Sequence, residues 1–498
     1  MTRFTQPPLF LFLLLITCIA NAQNDTKPNI LWIFSDDHAF QAIGAYGGRF
    51  ESLNLTSNLD SIASEGMRFD KAYVGNSICA PSRATLLTGK HSHKNGKIDN
   101  RGPFDHDQQQ FQKLLQKSGY QTAMIGKIHL SGAMQGFDYW EVLPGQGKYK
   151  NPEFISEAGR KQYQGHSTDI ITDRALNWLS NERDKSKPFM AMVHYKAPHR
   201  NWIAAPRFRE RFKTMTFPEP ETLFDDYQTR GVAAHKQDLS IAHSMRNNWD
   251  FKADRWKHRK EFFENTKLTG KDLIREKYQM YMRDYLACIA GVDENIGRLL
   301  QYLKDEDLEK NTLVMYSADQ GFYLGEHGWF DKRFMYEESF RTPLLAKWPE
   351  VIKPGSINTD LVQNIDFAET FLDLAGAEIP RDMQGKSLLP LMKNERPDDW
   401  RDSLYYHYYE YPGTHKVRRH EGVTTGRYKL IRFYGVDVPN GEEWELYDLA
   451  RDKHERANQY SNPEYSAIIA NLKQELQELR QQYDVVDIPQ VTKNKKKK

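Results

Sequence analysis

NILWIFSDDH, residues 29–38, joins an uninterrupted apolar run directly to two carboxylates and an imidazole. An apolar run of this length without polar alternation is typical of a strand that is buried on both faces in a parallel sheet. Comparable runs lie at residues 122–125, 189–193 and 312–316, and each is followed by polar or ionisable residues. Because ligands bind beyond the carboxyl ends of the strands in such sheets, we expect the functional site after these runs.

Helical patterns separate these runs, at residues 59–66, 111–118, 173–180 and 282–303. Strands that alternate with helices in this way predict an α/β domain with a mainly parallel central sheet flanked by helices. Residues 201–277 are charged and aromatic and contain no strand of this kind, so we interpret them as an elaboration on the sheet.

The composition changes near residue 399, where Tyr-rich stretches such as 427–431 and 443–447 precede a helical pattern at 465–483. This order of short strands and a final helix predicts a smaller C-terminal α+β subdomain with an antiparallel sheet. The predicted organisation is a catalytic domain at residues 23–395, the subdomain at 396–485 and a solvated basic tail at 486–498.

The first 22 residues have the pattern of a signal peptide. Arg3 precedes an apolar run at residues 9–20, and the sequence ANA at residues 20–22 offers a cleavage site between small residues. No later segment has the roughly 18 uncharged residues that a membrane-spanning helix needs. We therefore expect export to the periplasm or the medium with no stable membrane span. A lipid anchor on Cys18 is the alternative to simple cleavage.

The charges of the chain nearly cancel, with 69 Lys and Arg against 67 Asp and Glu. A net charge this small gives no whole-molecule attraction to nucleic acid or to an anionic membrane, so neither is expected as a partner. Cleavage after residue 22 would leave Cys79 and Cys288 as the mature thiols. Cys288 lies in an apolar pattern with helical spacing, which predicts a buried packing residue, and a bridge between the two thiols stays open.

A second motif, CAPSRATLLTG at residues 79–89, carries the strongest functional indication in the chain. It resembles the signature of the type I sulfatases, C-x-P-S-R followed after three residues by L-T-G, and it matches every specified position. The resemblance extends to LYDL at residues 446–449, and residues 321–343 are most similar to the branch that acts on sulfated sugars. That branch includes bacterial polysaccharide and glycosaminoglycan sulfatases and N-acetylglucosamine-6-sulfatases. The resemblance implies the alkaline-phosphatase-like fold.

In that family the signature cysteine is oxidised to formylglycine (3-oxoalanine), so the resemblance assigns this aldehyde to Cys79. The maturation partner would be a formylglycine-generating enzyme or an anaerobic sulfatase-maturating enzyme. One hydroxyl of the hydrated aldehyde attacks sulfur and releases the alcohol. Deprotonation of the second hydroxyl then expels sulfate and regenerates the aldehyde. Covalent catalysis thereby divides one difficult displacement into two easier steps.

Carboxylates after two of the predicted strands form a candidate metal site. Asp36 and Asp37 follow the first apolar run, and Asp319 and Gln320 follow the last one. Three carboxylates that converge without a cation would raise one another's pKa values and destabilise the fold. A carboxylate-rich set that contains an amide suits the large, flexible shell of Ca²⁺ better than Mg²⁺. We predict one Ca²⁺ that is also bound by the residue at Cys79, and the sulfatase resemblance supports the same positions.

Basic residues complete the predicted site. By the family resemblance, Arg83 and Lys127 anchor the modified residue, and His129 assists its diol. The same resemblance implies that His199 and Lys332 face the scissile oxygen and the sulfate, with His199 as the general acid. Cationic and acidic groups are needed because a sulfate monoester must be held and its leaving oxygen protonated.

Polar and aromatic residues outside this core are candidates for binding the sugar. The predicted substrate-binding residues are His38, Asn100, Arg101, His415, Arg418, Arg419 and His420, with Trp202 stacking on a sugar ring. The expected substrate is a sulfated carbohydrate, such as an algal polysaccharide of the ulvan type or a glycosaminoglycan. Two alternatives stay open: a phosphodiesterase or phosphonate monoester hydrolase of the same superfamily, and an inactive carbohydrate-binding relative.

The motif predicts a modification that mass spectrometry can detect. In protein from its native host, we expect the tryptic peptide that contains Cys79 to carry an aldehyde in place of the thiol. The same peptide from a host without a maturation enzyme is the matched control and should retain the thiol. An unmodified thiol in the native protein would contradict the predicted nucleophile.

Overall fold

The structure is a computed structural model, and it describes residues 27–488. The predicted signal peptide at residues 1–22 and most of the predicted basic tail lie outside the described residues. Among the helices that are described, none combines the length and the hydropathy that crossing a membrane requires.

The strands and helices follow one another along the whole described chain. The strands are β1 (Asn29–Ser35), β2 (Met67–Phe69), β3 (Ala72–Tyr73), β4 (Gln121–Gly126), β5 (Tyr139–Val142), β6 (Glu153–Ser156), β7 (Gly159–Gln162), β8 (Phe189–Tyr195), β9 (Thr312–Ala318), β10 (Tyr323–Leu324), β11 (Phe330–Asp331), β12 (Leu344–Lys347), β13 (Ser356–Asn358), β14 (Val362–Gln363), β15 (Leu404–Tyr408), β16 (His420–Thr424), β17 (Tyr428–Tyr434) and β18 (Glu442–Asp448). The α-helices are α1 (Ser57–Ser64), α2 (Cys79–Thr88), α3 (Ser92–Asn95), α4 (Phe111–Lys117), α5 (Ser167–Asn177), α6 (Pro206–Phe212), α7 (Val232–His235), α8 (Lys257–Asn265), α9 (Gly270–Asp305), α10 (Glu337–Phe340), α11 (Asp366–Leu374), α12 (Leu389–Met392) and α13 (Ser466–Gln482).

Ten of these strands form the central sheet, in the order β13-β2-β12-β9-β1-β8-β4-β5-β6-β7. Neighbours from β9 to β5 pair in parallel, whereas β12, β6 and β7 run antiparallel to their neighbours. The four apolar runs of the sequence become β1, β4, β8 and β9, which are adjacent in the sheet. The predicted mainly parallel sheet is therefore confirmed.

Both faces of the central sheet are covered, as unbroken apolar strands require. Leu31 and Ile33 of β1 face a core that includes residues of α1, α5 and α9, and Trp32 faces the opposite core. The ring of Trp32 lies 6.0 Å from that of Phe111 and 4.9 Å from that of Phe371. Each fully buried Phe or Leu in such a core contributes roughly 1.5–3 kcal/mol. Packing on both sides fixes the point at which each strand ends.

The smaller predicted subdomain contains an antiparallel sheet. Strands β15, β16, β17 and β18 pair in sequence order, and α13 packs against them. The stretch predicted at residues 427–431 overlaps the first half of β17, and the stretch at 443–447 lies within β18. The C-terminal antiparallel sheet is confirmed, and the domain boundary at residue 395 stays a prediction.

One helix is longer than the sequence pattern predicted. The helix expected at residues 282–303 is part of α9, which begins at Gly270. Its first two turns are mostly charged and only partly buried, so the apolar spacing starts further along the helix. The elaboration at residues 201–277 contains α6, α7 and α8 but no strand, as its composition indicated.

Candidate active site

The carboxyl ends of β1 and β9 bring two pairs of polar side chains together. The last residues of these strands are partners in a parallel pair, so Asp36 and Asp37 leave the sheet beside Asp319 and Gln320. The backbone N–H of Asp37 donates to Asp319 Oδ1 at 2.9 Å, and Gln320 Nε2 donates to the same oxygen at 2.8 Å. All four side chains are fully buried.

Cys79 faces this group from the first residue of α2. The preceding residue, Ile78, has extended backbone and provides no side-chain cap. A helix N-terminus carries partial positive charge and favours a negatively charged group. Cys79, Asp36, Asp37 and Asp319 each offer a ligand atom, and these atoms lie within 4.8 Å of one another.

The oxygen atoms of this group have the character of a cation site. Asp36 Oδ1 and Asp37 Oδ2 are buried and accept no hydrogen bond. Gln320 Oε1 is also buried and accepts none, but the Nε2 of this amide is the atom that faces the carboxylates. Burial, with a smaller contribution from the charge of Asp319, raises the pKa of Asp37 to about 7 although Lys332 opposes the shift. Converging carboxylates favour a bound cation, and an all-oxygen donor set suits a hard one. The residues present therefore fit a hard divalent cation.

Two cationic side chains tie the carboxylates to α2 and to the end of β4. Arg83 Nε donates to Asp319 Oδ2 at 3.1 Å, and its Nη1 donates to the carbonyl of Lys127 at 2.6 Å. The ammonium of Lys127 pairs with Asp36. All of these side chains are buried, so their charges are weakly screened by solvent.

Lys332 is held by a strained stretch of backbone. Its ammonium pairs with Asp37 and lies 3.4 Å from Cys79 Sγ. The residues on either side, Asp331 and Arg333, have positive φ values of 73° and 100°. Non-glycine residues rarely adopt this conformation, and it persists only where surrounding contacts enforce it. Strain of this kind concentrates at functional sites.

Two imidazoles border the cluster. His199 Nδ1 lies 2.5 Å from the carbonyl of Arg200, and its Nε2 lies 3.8 Å from Asp37 Oδ2. A proton on Nδ1 donates to that carbonyl, so Nε2 faces the carboxylates. Burial, aided by the charge of Lys127, lowers the pKa values of both His199 and His129. In this arrangement both imidazoles are neutral at neutral pH.

The unmodified thiol of Cys79 is a poor nucleophile in this environment. Burial raises its pKa to about 12, although Lys332 opposes the shift. The thiolate is the reactive form of cysteine, so almost none of it is present at neutral pH.

Two of the predicted substrate-binding residues, Asn100 and His415, lie beside this cluster. Asn100 Oδ1 accepts from the backbone N–H that follows Cys79, at 3.0 Å. Arg101 is the next residue, and its side chain is exposed. His415 Nε2 lies 3.3 Å from Asp331 Oδ2 in the strained segment.

His38, His420 and Trp202 are fully buried, and their role in binding a sugar stays a prediction. His38 pairs with the phenol of Tyr316, and His420 Nε2 accepts from the backbone N–H of Met335 at 3.1 Å. The indole of Trp202 packs on a tyrosine ring of α9 at 4.5 Å.

The guanidiniums of Arg418 and Arg419 bind backbone carbonyls, and their role in binding a sugar stays a prediction. They donate to the backbone carbonyls of Lys236 and Ile488, at 3.2 and 2.9 Å. Among the contacts that the structure describes for residues 27–488, none joins either guanidinium to the residues around Cys79.

Sequence reasoning missed several polar residues of the site. Burial lowers the pKa of Lys196, which follows β8, to about 8. Gln146 pairs with one of the site ammoniums, and Asp250 binds Arg200 through two hydrogen bonds at 2.6 and 2.9 Å. Lys196 could have been found, because it lies at the end of a predicted strand. Asp250 lies in the charged elaboration, where no local pattern distinguishes it.

Buried carboxylates, an amide and a ring of cations at the carboxyl edge of a mainly parallel sheet define an alkaline-phosphatase-like hydrolase. The sequence model described as Sulfatase matches residues 28–377. The model described as N-sulphoglucosamine sulphohydrolase, C-terminal, matches residues 325–482. The chain belongs to the sulfatase family, and it is a sulfuric ester hydrolase.

Individual relatives agree with this family. The chain is 48% identical over 505 residues to an N-acetylglucosamine-6-O-sulfatase of Bacteroides thetaiotaomicron, which covers 94% of this chain and 89% of that protein. It is 27% identical over 430 residues to the N-acetylglucosamine-6-sulfatase of Homo sapiens, with 80% and 71% coverage. The structure of BT4656 in complex with its substrate D-glucosamine-2-N,6-O-disulfate has a TM-score of 0.88 and 48% identity, covering 92% of this chain and 98% of that one.

Arg83 should be essential for the stability of the site. The replacement Arg83→Met leaves Asp319 without its buried partner, so we expect a loss of about 3–5 kcal/mol in the free energy of unfolding. Urea unfolding of protein with unmodified Cys79 measures this loss. The matched control Arg101→Met removes an exposed guanidinium and should cost no more than about 1 kcal/mol. Equal losses in the two variants would contradict the prediction.

Proposed function

We propose that this sulfatase removes the 6-O-sulfate from a sulfated glucosamine residue. The observation that carries the proposal is its near-half identity, over almost the whole chain, to an N-acetylglucosamine-6-O-sulfatase. The solved relative in complex with D-glucosamine-2-N,6-O-disulfate supports the same class of substrate. The intact motif at Cys79 argues against a protein that only binds carbohydrate.

Cys79 supplies the nucleophile after oxidation to formylglycine by a maturation enzyme during export to the periplasm or the medium. The raised pKa of its thiol supports this role, since the unmodified sulfur stays protonated. The N-terminus of α2 favours the negative charge that develops on the attacking hydroxyl. Arg83 and Lys127 hold the modified residue in place, and His129 assists its diol.

One Ca²⁺ is held by Asp36, Asp37, Asp319 and Gln320 together with the residue formed from Cys79. The carboxylate and amide oxygens that accept no hydrogen bond support this donor set. A half-turn of the Gln320 amide would exchange the nitrogen that faces the carboxylates for an oxygen. The cation supplies positive charge that acidifies the nucleophile and neutralises sulfate oxygens.

Removal of the cation should affect both activity and stability. We expect exhaustive chelation to abolish sulfate release, and Ca²⁺ to restore it better than Mg²⁺. At 100 times its dissociation constant, Ca²⁺ should raise the free energy of unfolding by about 2.7 kcal/mol, measured by urea unfolding. Asp319→Asn should lose this stabilisation, and the matched control Asp99→Asn should keep it. Stability and activity that are indifferent to chelation would exclude the site.

His199 is the general acid, and Lys332 holds the sulfate group. The hydrogen bond from His199 Nδ1 to the carbonyl of Arg200 supports this role, since it aims Nε2 at the site. The negative charge of a bound sulfate ester favours the protonated imidazole. A bound sulfate ester therefore raises the pKa of His199 again, against the lowering that burial causes in the substrate-free protein.

Loss of His199 should depend on the leaving group. We expect His199→Gln to lower kcat on a sulfated sugar by about a hundred- to ten-thousand-fold, and Cys79→Ala to abolish turnover. The loss should be smaller with an aryl sulfate, because a phenolate leaves without protonation. The control His243→Gln changes an exposed histidine and should have no effect. Equal losses on sugar and aryl sulfates would argue against general-acid catalysis.

A panel of defined substrates tests the proposed specificity. Sulfate release should have its highest kcat/KM on 6-O-sulfated glucosamine or N-acetylglucosamine, above 2-O- and 4-O-sulfated sugars. Aryl sulfate, aryl phosphate and an aryl phosphodiester form the comparison set for the alternative superfamily activities. A preference for the phosphodiester would overturn the proposed function, and a preference for another sulfated sugar would overturn only the glucosamine assignment.

A further inference from the structure

A cavity of about 480 Å³ lies between α6, α8 and α9. None of its lining residues belongs to the candidate active site. Six of the lining side chains are Lys or Arg and three are acidic, although the whole chain has a net charge of only +2. Positive charge is therefore concentrated around this cavity. Its volume lies within the range of small-ligand sites, roughly 300–1,000 Å³.

Arg259 lines the cavity with an incomplete set of partners. It is only 5% exposed, and its Nη1 is buried without a hydrogen bond. Its Nη2 lies 3.3 Å from Asp284 Oδ1, but Asp284 also accepts from the ammonium of Lys252 at 2.8 Å. The neighbouring carboxylate of Asp250 is already bound by Arg200. Two buried cations thus share one carboxylate, so one of the two positive charges has no carboxylate of its own. The guanidinium of Arg259 also lies over the ring of Trp256 at 5.6 Å, which offsets only part of this charge.

The other acidic residues of the wall do not supply the missing negative charge. Glu276 pairs with Arg283 at 3.2 Å. Glu210 lies 3.6 Å from the ammonium of Lys213 and 3.9 Å from the guanidinium of Arg209. Each acidic side chain therefore has a basic partner of its own, and the excess charge at Arg259 persists.

The N-terminus of α8 lines the same cavity, and no acidic side chain lies in its first turn. The helix begins with Lys257, His258 and Arg259. Its N-cap residue, Trp256, makes no side-chain capping hydrogen bond. A helix N-terminus carries unsatisfied N–H groups and partial positive charge, so basic residues there are unfavourable unless an anion binds. This observation is independent of the unpaired Arg259 nitrogen and points to the same ligand charge.

We propose that the cavity is a second oxyanion site, which binds a sulfate group between Arg259 and the N-terminus of α8. A tetrahedral oxyanion accepts hydrogen bonds from a guanidinium and from backbone N–H groups at once, and charge-assisted bonds of this kind are strong. The sulfate is either free inorganic sulfate or a sulfate group on a sugar chain. The site is separate from Cys79, so it does not depend on the glucosamine specificity proposed above.

Calorimetric titration of the matured full chain with sodium sulfate tests this site, with ionic strength held constant because salt screens exposed charges. We expect Arg259→Gln to weaken one sulfate-binding event roughly tenfold or more. Lys260→Gln is the matched control, because it removes the same charge from an exposed position on α8 outside the cavity. Sulfate binding at the active site is common to both variants and cancels in their comparison.

The variant Arg259→Gln should fold, since Lys252 still pairs with Asp284. Circular dichroism checks this, and unchanged hydrolysis of an aryl sulfate shows that the active site is intact. If the variant does not fold, Arg255→Gln on the rim of the cavity takes its place, with a smaller expected loss of binding.

Titration with a 6-O-sulfated oligosaccharide separates the two sources of sulfate. Here both variants also carry Cys79→Ala, so that the sugar is not hydrolysed and no inorganic sulfate is released during the titration. A loss with inorganic sulfate supports a site for the free ion, and a loss confined to the oligosaccharide supports a site for the sugar chain. Equal binding of both ligands by Arg259→Gln and Lys260→Gln would overturn the proposal. Failure of the glucosamine specificity would leave this comparison unchanged, so the two proposals fail separately.

Discussion

The meeting of three carboxylates at the carboxyl edge of β1 and β9 is the constraint on which the site depends. At an effective dielectric constant of about 20, two unit charges 4 Å apart repel by about 4 kcal/mol, so this group cannot exist alone. Arg83, Lys127 and Lys332 each place a positive charge against one of the carboxylates. Even then several oxygens accept no hydrogen bond, which is the property that suits the group to a metal ion.

The C-terminal sheet supports this balance of charges indirectly, through hydrogen bonds to the backbone that follows Lys332. The phenol of Tyr406 on β15 donates to the carbonyl of Arg333 at 2.5 Å. The imidazole of His420 on β16 accepts from the backbone N–H of Met335, two residues after Arg333. Such contacts enforce the left-handed backbone on either side of Lys332 and so fix where its ammonium lies. The C-terminal subdomain therefore positions Lys332 of the active site through contacts with the neighbouring backbone.

The charged elaboration at residues 201–277 has a similar effect on the other side of the site. Asp250 holds the guanidinium of Arg200, whose carbonyl is bonded to His199 Nδ1. The same segment contributes Lys252, which joins Asp284 and Arg259 at the proposed oxyanion cavity. The elaboration at residues 201–277 thus orients the imidazole of His199 and, together with α9, lines the proposed oxyanion cavity.

The amino-acid sequence was enough to predict the centre of the sheet, because an unbroken apolar strand has few stable positions other than between two covered faces. It also determined which side chains gather, because parallel strands present their carboxyl ends at one edge. The short motif at residues 79–89 was sufficient to predict the family. Which polar residues face that edge depends instead on contacts between segments that are far apart in the sequence. His38 and Tyr316 are 278 residues apart, and no local pattern predicts that the phenol of Tyr316 pairs with the buried imidazole of His38.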